Sequence, residues 1–166
     1  GSHSVFGVTI TPDGKYALVT HLIGMFNLPA TMIYWVHVNS LAVIDLINKR
    51  VLNDISVDHY DKVGMSNPWG VECTPDGKFV VVAHAGCNEL SIIDLNQLIE
   101  AADTTVWLSN KKNLLYPTTI RKRVKVQSKN PRSLAIIDNN VYTAGYFSNA
   151  VEVFNVSLSA TTSSVR

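Results

Sequence analysis

Two histidines close matching apolar runs: His21 ends "ALVTH" and His84 ends "VVVAH". An imidazole can ligate a metal, carry a proton near neutral pH or hydrogen-bond a backbone. If the two runs are second strands of adjacent units, His21 and His84 stand at equivalent strand ends. There they could share a metal or contact one ligand near a common axis. The alternative is structural, with each ring packed at a strand end and bonded to a neighbouring loop. Gly145 occupies the corresponding place further on, so a ring of three histidines is not written in the chain.

A second cluster of side chains suited to binding lies in "MFNLPATMIYWVHV" at 25–38. Phe26, Tyr34 and Trp35 make this segment too apolar to lie loose in water, and His37 stands near its end. It either folds back as a lid or meets a partner or ligand. Trp69, in "NPWGV", joins Phe26, Tyr34, Trp35, His37, His21 and His84 as a candidate contact residue. No metal or cofactor is specified by these residues; His21 and His84 are the candidate ligands if a metal is bound.

Other candidates are weaker. Cys73 and Cys87 fall in no CxxC or CxxCH pattern, which leaves out a zinc knuckle and a covalent haem site. Asp58, His59, Tyr60 and Asp61 form a polar turn whose carboxylates lack an oxygen-rich calcium-loop pattern. "RKRVKVQSK" (121–129) concentrates positive charge, but Val124 and Val126 alternate with the lysines, as on an edge strand that uses charge to block aggregation. With a formal net charge of +1, nothing pulls the whole chain toward nucleic acid. No GxSxG, HExxH, Walker or GxGxxG motif is present in its required setting, so no catalytic set emerges. No apolar run is long enough to span a membrane as a helix.

The elements that position these residues come from a repeat. "TPDGKYALVTH" (11–21) returns as "TPDGKFVVVAH" (74–84), and Phe6-Gly7-Val8 returns 63 residues on as Trp69-Gly70-Val71. Asn67-Pro68 returns at the same offset as Asn130-Pro131. "NSLAVIDL" (39–46), "NELSIIDL" (88–95) and "NAVEVFNV" (149–156) are a third recurring segment, at a different spacing, so loops are inserted at different places in each copy. "WGVEC" alternates, "TPDGK" is a tight turn and "FVVVAH" is a β-branched run covered on both faces. "RVLNDISV" and "RKRVKVQ" alternate as half-solvated outer strands. Four antiparallel strands of this kind describe a propeller blade.

"TPDGKFVVVAHAGCNELSIIDL" resembles the blades of YVTN-type β-propellers, bacterial surface and periplasmic repeat proteins. "NPWGV", "AHAG" and the inserted "FNLPAT" look like the extracytoplasmic branch of that family, some members of which accompany cytochrome c or peroxidase domains. The resemblance implies an all-β fold of about three four-stranded antiparallel blades in an incomplete ring, and the spacing of Leu95, Leu98 and Ile99 adds one short helix over 94–104. Residues 1–4 are expected to be a tag remnant outside the fold. Blade 1 is placed at 5–66 with the 25–38 insertion, blade 2 at 67–129 with a helix and loop insertion at 96–120, and a partial blade 3 at 130–166. The exposed blade faces call for further blades of the chain or for self-association.

The resemblance implies a periplasmic, cell-surface or secreted location and a binding or scaffold module rather than an enzyme. Its top loops would bind a protein, a glycan or a redox partner. The alternative is a propeller enzyme or electron-transfer accessory that uses a metal or haem near the axis.

Overall fold

The duplicated turns are closed by their threonines. Thr11 Oγ1 donates to Asp13 Oδ1 at 2.6 Å and accepts the Tyr16 amide at 3.1 Å; Thr74 Oγ1 does the same with Asp76 at 2.7 Å and Phe79 at 3.0 Å. Each aspartate also accepts the amide of the following lysine at 3.1 Å. Gly14 and Gly77 have φ of +72° and +69°, a left-handed conformation that glycine adopts without strain. Hydrogen bonding, led by the threonine hydroxyl, holds Asp13 below the ordinary carboxylate range and Asp76 at about 2.

The computed structural model describes residues 2–24, 37–58, 67–104, 120–156 and 163–165. Three four-stranded antiparallel sheets result. Sheet A runs β1 (Ser2–Ile10), β2 (Tyr16–Gly24), β3 (His37–Asp45) and β4 (Arg50–Ser56). Sheet B runs β5 (Pro68–Cys73), β6 (Phe79–His84), β7 (Glu89–Asp94) and β8 (Arg121–Lys125), with helix α1 (Leu95–Thr104) between its last two strands. Sheet C runs β9 (Pro131–Ile137), β10 (Asn140–Gly145), β11 (Ala150–Asn155) and β12 (Ser163–Val165). Each sheet keeps its strands in chain order, and the first strand of sheet B, β5, packs against both β1 and β9. These are three blades of a β-propeller.

Two sequence expectations need correction. Residues 2–4 belong to β1, where Ser2 pairs with Ile23 and His3 with Leu22, so the fold does not begin at residue 5. The insertion is shorter than 25–38, because His37 and Val38 pair with Gly24 and Ile23 as β3. The β2–β3 hairpin is thereby nine residues per strand against six in β6 and β7.

Sheet B is covered on both faces. Val80, Val82 and Ile93 pack with Leu18, Leu41 and Val43 of sheet A, while Val81, Leu90 and Ile92 pack with Val141 and Phe154 of sheet C. That two-sided burial is why β6 reads as an unbroken apolar run. Blades diverge from their inner strands, and α1 fills the wider outer gap between sheets A and B with Leu95, Leu98 and Ala102. Asp94 caps the helix by accepting the Gln97 amide at 2.9 Å.

Glycine sets the distance between inner strands. A Cβ on Gly70 would fall 2.6 Å from the Arg132 carbonyl oxygen, and one on Gly7 would collide with the Trp69 carbonyl. Each inner strand has a residue with positive φ at one end of the blades (here the upper end), Ser4 near the start of β1 and Asn67 and Asn130 just before β5 and β9. Asn67 N donates to Asn39 Oδ1 at 3.0 Å and Asn130 N to Asn88 Oδ1 at 2.8 Å. The outward faces of the terminal sheets stay open, with Val8 and Ile10 exposed on sheet A and Ala135 and Ile137 on sheet C.

Two substitutions test this frame. Gly70→Ala forces sheets B and C apart and is expected to destabilise by about 1–3 kcal/mol. Thr74→Val strands the buried Phe79 amide and costs about 1–3 kcal/mol. Thermal unfolding reads both; an unchanged Tm in Gly70→Ala would remove the close-approach argument.

Candidate functional site

At the upper end the inner strands carry a continuous stack of rings and one guanidinium. Phe6 in β1, Trp69 in β5 and Arg132 in β9 occupy the same place in successive blades, 63 residues apart. The Phe6 and Trp69 rings lie 5.1 Å apart. The Arg132 guanidinium carbon sits 4.3 Å from the centre of the Trp69 ring and 3.9 Å from that of Tyr146. Phe147 meets Tyr146 edge-to-face at 4.8 Å. Tyr146 and Phe147 are 61% and 67% exposed, so the row ends in an apolar rim open to solvent.

Backbone contacts hold the row. Thr20 Oγ1 donates to the Trp69 carbonyl at 2.8 Å and accepts the Gly7 amide at 3.0 Å. Arg132 Nε donates to Asn130 Oδ1 at 2.7 Å, and Asn130 Nδ2 donates to the Ala85 carbonyl at 3.1 Å. Cation–π contacts of this type contribute about 0.5–2 kcal/mol each and hold the guanidinium against its neighbours.

A second polar cluster is buried between sheets A and B. His84 Nε2 lies 2.8 Å from Ser91 Oγ, and Arg123 Nε donates to Glu89 Oε2 at 2.6 Å. Arg121 Nη1 donates to the Val57 carbonyl, and Asp58 accepts Asn39 N and Nδ2, both at 2.8 Å. Among the described residues, His84 Nδ1 and Arg121 Nη2 have no hydrogen-bond partner. Burial first, and then the guanidinium groups of Arg121 and Arg123, push His84 well below the ordinary histidine range. Burial, followed by the charge of Arg123, lowers Arg121 to about 10. Arg121 and Arg123 of the basic run are thus turned into the protein, while Lys122 and Lys125 face solvent.

His21 and His84 do not meet. His84 shares a face with Val80 and Val82, toward sheet A, whereas His21 neighbours the inward Thr20 and so lies on the opposite face of sheet A. It is also not at a strand end, since β2 continues to Gly24. His21 Nδ1 lies 2.7 Å from Ser2 Oγ and Nε2 2.7 Å from Asp54 Oδ1, a relay that ties β1 and β4 to β2. No cluster of three metal-ligating side chains occurs among the described residues. His37 is exposed at the start of β3, its ring 4.8 Å from that of His3. Phe26, Tyr34 and Trp35 lie outside the described residues, as do His59, Tyr60 and Asp61. Cys73 is buried, which pushes its thiol up to about 12, an inert side chain.

Trp69 is the one sequence candidate in the row. Arg132, Tyr146, Phe147 and Phe6 were missed, although the 63-residue offset that relates Phe6 to Trp69 leads directly to Arg132.

No family model matches the chain. It is 24% identical over 169 residues to hydrazine synthase subunit beta of Kuenenia stuttgartiensis, with 95% of this chain and 42% of that protein covered. The structure of Kuenenia stuttgartiensis hydrazine synthase aligns with a TM-score of 0.82 at 25% identity, over 95% of this chain and 46% of the matched chain. The WD40 repeats of RRP9 align at 0.65 with 12% identity, covering 98% and 38% of the two chains. The Cps50 (Swd1) β-propeller domain of Myceliophteria thermophila aligns at 0.59 with 9% identity, covering 99% and 40%. The chain therefore spans less than half the length of the relatives it matches. No helix among the described residues is long and apolar enough to cross a membrane.

The His84 environment predicts a pH dependence. Its imidazole is neutral in the fold, while the unfolded chain takes up a proton below about pH 6.5. Stability from this group is therefore complete above that pH and is lost as pH falls, at up to about 1.4 kcal/mol per unit. Denaturant unfolding at pH 5 and pH 7.5 should show a smaller loss in His84→Gln than in the wild type. Equal losses would refute the assignment.

Proposed function

We propose that the chain forms three blades of an extracytoplasmic bacterial propeller, built of YVTN-type repeats, that docks a protein partner at its upper end. The observation that carries this reading is the row from Phe6 through Trp69 and Arg132 to Tyr146 and Phe147, held across three blades and ending in exposed aromatic rings. Exposed aromatic and arginine side chains on a rigid frame are what dominates the energetics of protein interfaces. The facing ends of β2 and β3 belong to the same end, so His37 extends the proposed surface, and Phe26, Tyr34 and Trp35, outside the described residues, are proposed as further contacts.

The similarity to a protein named as a subunit of hydrazine synthase supports a partner within a multi-subunit enzyme. In that setting the propeller is scaffold, and the chemistry belongs to the protein it holds. The resemblance to YVTN-type propellers carries a second reading, an electron-transfer accessory with a metal or haem near the axis. The visible spectrum and metal content of the purified full-length protein separate the two.

The test of the first reading is a double substitution, Tyr146→Ser with Phe147→Ser, in the full-length protein isolated from its source. Quantitative mass spectrometry of co-purifying subunits should show at least a tenfold loss of its partner with Tm unchanged. Undiminished retention would sink the proposal.

A further inference from the structure

We infer that Arg132 is a carboxylate receptor, and that the segment it takes from a partner is an acidic peptide with an apolar residue beside the acid. This rests on the upper-end docking reading and gives that surface its chemistry.

Three features of Arg132 point there. Its guanidinium carbon lies over two rings, Trp69 at 4.3 Å and Tyr146 at 3.9 Å. Its Nε–H is spent on Asn130 Oδ1 at 2.7 Å. Four N–H groups on Nη1 and Nη2 remain, and no carboxylate among the described residues lies within ion-pair distance of them, although Arg50 and Arg123 each have one. A planar fork held beside two rings, with its Nη1 and Nη2 groups unspent, offers the geometry in which arginine binds a carboxylate through two parallel hydrogen bonds.

The guanidinium is also pre-arranged. Asn88 Oδ1 accepts the Asn130 amide at 2.8 Å, and Asn130 in turn fixes Arg132, so little side-chain freedom is left to lose on binding. The same strand position holds Phe6 and Trp69 in the preceding blades, which makes Arg132 the single cation in a row of rings. Tyr146 and Phe147 stand beside it as exposed apolar rim, and the exposed Lys129, whose amide donates to Ser148 Oγ at 3.0 Å, adds positive charge nearby. An open rim with a cation at its centre suits an extended segment carrying Asp or Glu next to a Phe or Leu.

The test uses the whole chain and two acetylated peptides, one alternating Glu with Phe and one alternating Gln with Phe. Isothermal titration at low salt should show the Glu peptide binding at least tenfold more tightly. That preference should disappear in Arg132→Lys, which keeps the charge but loses the fork, with Tm as the folding control. The comparison of peptides on the wild type needs no variant, so it stands even if Arg132→Lys unfolds. Equal affinities for the two peptides, no binding of either, or a Glu preference that survives in Arg132→Lys would each overturn the carboxylate assignment. Equal affinities that both collapse in Tyr146→Ser with Phe147→Ser would overturn it while leaving the aromatic docking surface in place.

Discussion

The distance between inner strands governs this structure. At Gly7 and Gly70 one blade's backbone lies directly on the carbonyl of the next, closer than any side chain allows. Because the blades touch there and spread outward, everything at larger radius follows: apolar layers between sheets, a helix in the widest gap, and an outer strand with one face turned inward. The close approach also brings residues at position 6 and its equivalents within stacking range of one another. A methyl group at either glycine would open the fan and unstack the rings together.

Most of the architecture was legible because it is written twice. The Thr-Pro-Asp-Gly-Lys turns carry their own mechanism, with Thr11 and Thr74 each serving an aspartate and a strand amide. The β-branched run 79–83 predicts a strand covered on both sides, and two apolar clusters cover it. The short helix follows from the spacing of Leu95, Leu98 and Ile99. The length of the β2–β3 hairpin was not legible, because residues 37 and 38 continue an apolar run that reads as loop until Gly24 and Ile23 are seen opposite them.

The candidate site was legible only at Trp69. A histidine draws attention wherever it stands, yet His21 and His84 each sit on the face of their own sheet turned away from the following blade, so sheet A stands between them. Equivalent places in the repeat therefore put the two rings in separate seams. The basic run misleads because alternation hides half of it. Its alternation places Arg121 and Arg123 in the seam with Glu89 and the Val57 carbonyl, and only the lysines keep the protective role of an edge. Arg132 carries no motif at all; its meaning comes from the rings on either side.

Trp69 is tied to both neighbouring blades at once. Its carbonyl is gripped by Thr20 of sheet A, and its ring is layered between Phe6 and Arg132. A pull on the Arg132 side chain must therefore either peel it off the indole or drag the indole along. In the second case the strain reaches a hydroxyl two strands into sheet A, making this tryptophan a mechanical linkage through which events at Tyr146 and Phe147 are felt two blades away.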